Sequence, residues 1–513
     1  MQAETSTADV QLQNSVTVNA LPVTSNALNG MLQNIVLTGD EIDYQRDPEQ
    51  IIASGNLFIR YQKFTASANF IYYDIEDQSV WFPNYLTVFT KDKYLHFDDL
   101  YYSFSENKGE AKRVNAKINR LLIYGDNILI KPDEVVISNS SFTTCDLEHP
   151  HYSVLADKIY IYPKWGFLVA VNSTFHLGFL PFPLWVPTYI YGRSEYRSST
   201  PIPDIGASPR EGAYIKQKIG YFFNPSSTGT VDFGFAQNLG FLAGVNHFWK
   251  INNRNRVNMR YHFVGKDGWE GGIEYKSILL DREERISAEQ TGLDSVFSLF
   301  TDTTDTILSE FKFSLQHREL FYDSRVSYLP LAGMAVYKLN LFDTGFYSNI
   351  EASYGKVKEE TISDTVVKAW RVYFGGNIWQ RWYLTPDLIL DWNTEFFANR
   401  YHPGGWHRIF TTFQFEWEWV GFQPKIAYTK KLMHRGESPF EFEKKYARMN
   451  DELGVSVFQE LGQSRIGISL DYDFERQKAR NLDFIGELDF HCWRGRLTWK
   501  SAQQELQVGV DLF

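Results

Sequence analysis

Along the first third of the chain a short pattern recurs: an Asp or Asn, then apolar residues two and four positions later. It occurs as Asp40-x-Ile42-x-Tyr44, Asn69-x-Ile71-x-Tyr73, Asp98-x-Leu100-x-Tyr102, Asp126-x-Ile128-x-Ile130 and Asp157-x-Ile159-x-Ile161, a period of about 29 residues. Alternation with period two places both apolar residues of a copy on one face of a strand. Polar turns follow, as at 45–50, 76–79 and 105–109, and second strands return, as at 53–61 and 80–90. One hairpin cannot bury its apolar face alone, whereas stacked copies bury a continuous one. The pattern predicts a rolled stack of antiparallel strands over 35–190, preceded by a flexible segment at 1–34. Its interior is lined by the ten apolar motif residues. That interior is either a filled core or a slot left for alkyl chains, with each buried methylene contributing about 0.8 kcal/mol. Periodicity does not choose between the two.

From Gly212 onward, segments alternate apolar and polar residues, clearly at 230–236, 257–263, 311–315, 335–341, 410–419 and 466–474. About eighteen such segments fit the remaining chain. Numbered from Gly212, the long polar connections at 281–306, 356–364, 399–405, 432–450 and 475–481 are expected after odd strands. Tight turns at 265–268, 342–344, 385–387 and 461–463 are expected after even ones. Such sorting is that of a transmembrane barrel, with long loops outside and short turns in the periplasm. The prediction is a proline-bearing linker at 191–211, then an antiparallel transmembrane barrel over 212–513 with 281–306 outside the cell.

Composition supports a barrel. Aromatic residues make up 16% of the chain while the mean hydropathy is −0.33, as expected where lipid-facing and lumen-facing residues alternate. The longest apolar stretch, 175–191, contains Pro181, Pro183 and Pro187, which break a helix, so a bilayer is crossed only by a closed barrel. The net charge of −11 argues against a nucleic-acid partner. Residues 1–34 lack the charged start and apolar core of a secretory leader, so Met1 is read as the start of a mature or trimmed chain. The two cysteines, Cys145 and Cys492, fit one disulfide or two buried thiols equally.

Catalytic chemistry is thin. His149-x-His151 offers two metal ligands, but no carboxylate or cysteine set accompanies them at metal-site spacing. Gly206-Ala-Ser208 continues into Pro209 and Arg210 and is not a nucleophile elbow. No phosphate-cradling glycine loop is present. Nothing asks for an enzyme, a metal or a cofactor.

Further motifs carry a resemblance. Phe142-Thr-Thr-Cys145-Asp is followed by Pro150-His151-Tyr152 and Ala156-Asp157-Lys158-Ile159. Then come Asn172-Ser-Thr-Phe175-His-Leu-Gly178-Phe-Leu-Pro181 and Trp185-Val-Pro187-Thr-Tyr189. Arg197-Ser198-Ser199 precedes Pro201, Pro203, Gly206, Ser208 and Gly212, and Cys492-Trp493 precedes Arg496-Leu497-Thr498-Trp499. In this order they resemble the LptD/OstA family of lipopolysaccharide-assembly proteins, with two cysteines where many members have four and a smaller barrel than usual. The resemblance implies an all-β chain, an OstA-type β-jellyroll followed by the barrel, in the outer membrane of a Gram-negative bacterium with the N-terminal domain in the periplasm.

It further implies that the protein receives lipopolysaccharide in the periplasm and inserts it into the outer leaflet through a lateral gate. Ile42, Tyr44, Ile71, Tyr73, Leu100, Tyr102, Ile128, Ile130, Ile159 and Ile161 would bind acyl chains. Pro201, Pro203, Pro209, Gly212, Val508, Val510 and Phe513 would form the gate, between terminal strands 212–222 and 505–513. A disulfide would join Cys145 to Cys492. Implied partners are a plug lipoprotein of the LptE type, a periplasmic bridge protein of the LptA type, and the barrel-assembly machinery. Two rivals stand beside this reading. A channel or transporter for another lipid or solute needs no such repeat domain, and a lipid hydrolase or acyltransferase needs a nucleophile that is not visible.

Overall fold

The computed structural model describes residues 16–19 and 35–512 apart from 62–63, 91–92, 119, 166, 179–182, 193–201, 253, 282–306, 322–323, 342–343, 362–364, 403, 447–449 and 503. Two compact units are formed, the first ending near Val186 and the second beginning near Tyr196.

The N-terminal unit is one antiparallel sheet of fifteen strands. Glu49–Tyr61, Phe64–Asp74, Ser79–Thr90 and Lys93–Ser103 pair in chain order, as do Val135–Thr143, Tyr152–Tyr162, Phe167–Leu177 and Leu184–Gly192 towards its end. Motif residues Ile71, Leu100, Tyr102, Ile128, Ile130, Ile159 and Ile161 lie on the buried face.

The Asp or Asn of the motif has a different role, because it marks a line of bulges crossing the sheet. The register breaks at Ser54/Leu57 and Ala68/Tyr72, and again at Phe82/Tyr85. Further along the line, Gly55 (φ 87°), Asp99 (48°), Asn139 (47°) and Asn172 (51°) adopt left-handed backbone, which Gly, Asn and Asp tolerate best. A bulge inserts an unpaired residue and bends its strand, so aligned bulges bend the sheet. Side chains hold the line in place. Asp40 accepts from the Asn56 amide nitrogens at 3.1 and 3.0 Å, and Asp99 from the Trp81 indole at 2.8 Å. Lys112 and that indole keep the Asp99 carboxyl below the ordinary carboxylate range.

The C-terminal unit is a closed antiparallel barrel of eighteen strands running from Asp204–Ser208 to Glu505–Leu512. The number agrees with the sequence count. The start does not, because a strand precedes Gly212. Asp204-Ile-Gly-Ala-Ser208 lacks alternation, and it pairs through position rather than pattern.

Loop sorting is also corrected. Counted from Asp204–Ser208, the connection 282–306 follows the sixth strand, whereas 362–365, 402–404, 437–451 and 474–477 follow odd strands. Ile307–Phe321, Ser324–Leu341 and Phe346–Thr361 separate 282–306 from 362–365, and an odd number of antiparallel strands puts two connections at opposite ends. Asp281 and Ile307, which flank 282–306, therefore lie at the end of the barrel where its first strand starts and its last strand finishes.

Alternation divides the barrel wall into two faces. Val231, Phe233 and Phe235 are exposed opposite Val245 and Phe241, giving an apolar outer surface. Asp232, Asn246, Arg260 and His262 occupy the intervening, inward positions. Closure pairs the backbone around the whole circumference, so an apolar exterior leaves no sheet edge unsatisfied.

Candidate functional site: the barrel seam and lumen

Where the barrel closes, Asp204–Ser208 pairs with Glu505–Leu512 at only three positions, Ile205↔Val508, Gly206↔Gln507 and Ala207↔Leu506. The next interface, between Trp493–Lys500 and Glu505–Leu512, has eight pairs. Pro203 and Pro209 flank the short strand and lack the N–H that would extend its ladder. Gly206 serves a close approach. A Cβ there would lie 2.3 Å from the Tyr214 hydroxyl and 2.6 Å from the Leu506 carbonyl oxygen. Through this gap the Tyr214 hydroxyl reaches Glu505 and donates to Oε1 at 3.3 Å.

The expected seam between 212–222 and 505–513 is thus corrected, since Asp204–Ser208 lies between those strands. Among the expected gate residues, Val508 is in the seam, Pro203 and Pro209 flank it, and Gly212 opens the second strand with φ 67°. Val510 faces the other neighbour, pairing with Gly495. Pro201 and Phe513 lie outside the described residues.

Inward positions carry charges of both signs. His262 Nε2 lies 3.4 Å from Asp232, Arg260 pairs with Glu319 at 2.8 Å, and Lys312 with Glu310 at 2.7 Å. Such a lining suits hydrated, polar matter rather than alkyl chains.

After Phe422–Gly436, residues 438–444 turn into the lumen. Phe440 and Phe442 pack on Val326, Val357, Tyr401 and Trp406. These wall residues share the inward face with Arg371 and Tyr373, whereas Trp370, Val372 and Phe374 are exposed on the other. The short helix Glu441–Tyr446 is anchored at its start by the fully buried Glu359 carboxylate. Glu359 accepts the amides of Glu441 at 2.7 Å and Phe442 at 2.8 Å, amides that an isolated helix leaves unpaired. Arg371 Nη1 pairs with Glu443 Oε1 at 2.7 Å, while Tyr401 and Ser438 donate to Glu443 Oε2. Sequence reading placed this stretch in a long polar loop. The available signal was Phe440 and Phe442, an apolar pair at alternate positions in a mostly polar connection.

In the N-terminal unit, Leu100 and Ile159 are fully enclosed, Tyr73 and Ile42 are half-buried, and Tyr44 is 40% exposed with its hydroxyl on Glu49 at 2.9 Å. Cys145 and Cys492 are both buried.

No family model and no curated protein matches the chain. Solved structures similar to it include a bacterial polysaccharide outer membrane secretin, at 9% identity and TM-score 0.30, covering 62% of this chain and 100% of that one. The outer membrane channel DcaP of Acinetobacter baumannii is 8% identical with a TM-score of 0.25, covering 59% and 84%. The P pilus usher (PapC) translocation pore is 6% identical with a TM-score of 0.22, covering 91% and 96%. Similarity at this level carries no information about cargo.

Proposed function

We propose that this chain is an outer-membrane lipopolysaccharide translocon that releases its cargo sideways through the barrel seam. The carrying observation is the three-pair closure between Asp204–Ser208 and Glu505–Leu512, flanked by two prolines. Parting a wall exposes unpaired backbone, so the interface with the fewest ladder bonds costs least to open. Cargo with both an acyl and a sugar portion needs such an exit. The sugar portion travels in the charged lumen while the acyl chains stay outside it, and only a lateral opening lets both move together. The apolar outer surface seats the barrel in the membrane.

In this reading the N-terminal unit lies in the periplasm and takes lipopolysaccharide from a bridge protein of the LptA type by strand addition. A lipoprotein of the LptE type and the barrel-assembly machinery are its other proposed partners. The motif residues are the proposed acyl-chain contacts, and Tyr73, half-buried, is the position from which to test them. A photo-reactive amino acid at Tyr73 should form an adduct with lipopolysaccharide in cells. Efficient activation without any lipopolysaccharide adduct, at Tyr73 and at Ile42, would overturn the assignment.

A further inference from the structure

A cleft of about 670 Å³ opens on the outer face of the N-terminal sheet, the face opposite Leu100, Ile128 and Ile159. It lies on the bulge line, where Asp98, Asn139, Asp157 and Asn172 line it from four strands. Its polar groups fall into two sets. One is held in place. Asp98 pairs with Arg113 at 2.6 Å and faces His96 at 3.3 Å. Asp157 accepts from Asn172 at 2.7 Å, and Asn172 Oδ1 accepts the Trp185 indole N–H at 2.7 Å. The other set is unspent. Asp126, Asn139, Ser141 and Thr174 line the cleft with no side-chain hydrogen bond among the described residues. Tyr124, 42% exposed, adds an aromatic ring.

We infer that this cleft is a binding site for a short neutral or amino-sugar oligosaccharide. A sugar presents closely spaced hydroxyls that donate and accept at once, which a carboxylate, an amide and two hydroxyls match. Its C–H face packs on an aromatic ring. A cavity of this size takes a small ligand. Three carboxylates, Asp98, Asp126 and Asp157, stand against Arg113, which is already paired with Asp98, so a phosphate or other anion is disfavoured. An alkyl chain laid in the cleft would strip water from Asp126, Asn139, Ser141 and Thr174 without replacing it, and is disfavoured. The inference does not depend on the translocon reading, because a sugar of this kind belongs equally to a glycolipid and to the cell wall.

The test is calorimetric titration of the full chain, held in a detergent without a sugar headgroup. One arm uses the amino-sugar disaccharide left when lipid A, split from its acidic core sugars, is deacylated and dephosphorylated; the other uses neutral β-1,4-linked N-acetylglucosamine oligomers, which share the linkage of the cell-wall glycan. Saturable binding of either supports the site, and the arm that binds identifies the source. Tyr124→Ala and Asp126→Ala each remove a contact of about 1–1.5 kcal/mol, so each should weaken binding about tenfold. Asn139→Gly, which keeps the left-handed backbone, should act the same way without disturbing the bend. Tyr101→Ala, on the same sheet outside the cleft, should bind like the parent. Circular dichroism melting of each variant separates lost binding from lost fold. No binding in either arm, or undiminished binding in all three folded cleft variants, would overturn the inference.

Discussion

The Tyr214 hydroxyl donates to Glu505 Oε1 at 3.3 Å, so a side chain of the second barrel strand holds the last strand across the first. It crosses above Gly206, at the interface with the thinnest backbone pairing. The seam is closed by this tie as well as by its short ladder.

Removing the hydroxyl with Tyr214→Phe should weaken closure by about 0.5–1.5 kcal/mol, the net value of one hydrogen bond. Hydrogen exchange of the amides in Asp204–Ser208 should then quicken severalfold while that of Ser227–Ala236 is unchanged. Gly206→Val is harsher, since its Cβ meets both the Tyr214 hydroxyl and the Leu506 carbonyl. It should lower the fraction of chains that run as closed barrels on unheated gels.

The inward segment is held by buried charge. Arg371→Ala leaves Glu443 without its cation, a loss of about 3–5 kcal/mol when a buried pair is broken. Glu359→Gln weakens the hold on the helix start. Both variants should show a higher single-channel conductance in planar bilayers, because the segment leaves the lumen wall. Conductance equal to that of the parent in both would mean that the segment does not obstruct the pore.

Orientation follows from the corrected strand count. Glu475 lies in a connection after an odd strand and Gln463 in one after an even strand, at opposite ends of the barrel. If the termini lie in the periplasm, as proposed, a membrane-impermeant maleimide on intact cells should label Glu475→Cys and spare Gln463→Cys. The reverse pattern would invert the barrel.

The Cys145–Cys492 disulfide is an expectation of the family resemblance. Peptide mass spectrometry of non-reduced protein from the outer membrane should show that cross-link. Two alkylated thiols would remove it. The chain-entropy model assigns more than about 4.7 kcal/mol to so long a loop, and disulfides often deliver less than that model gives.

Much of this architecture was legible in the sequence for physical reasons. Alternation in segments such as Ser227–Ala236 reports the two-sided wall directly, because one face meets apolar surroundings and the other a polar lumen. The motif with a period of about 29 residues was legible because each copy sets an Asp or Asn at a bend and an apolar pair behind it. Asp204–Ser208 was not legible, because Gly206, Ala207 and Ser208 leave no alternation to read and the strand is defined by its register against Leu506, Gln507 and Val508. Loop parity failed at 322–323, which joins two strands without a glycine or proline to mark the turn. The lumen segment escaped because Glu359 and Arg371, which anchor it, are 82 and 72 positions away from their partners Glu441 and Glu443.

Lateral release is tested most directly by locking the seam. Ile205→Cys with Val508→Cys places two thiols on directly paired positions, and the parent chain carried through the same treatment controls for Cys145 and Cys492. With the cross-link verified, newly made lipopolysaccharide should stop reaching the cell surface, and reductant should restore its arrival. Export at the parental rate through a fully locked seam would contradict the account.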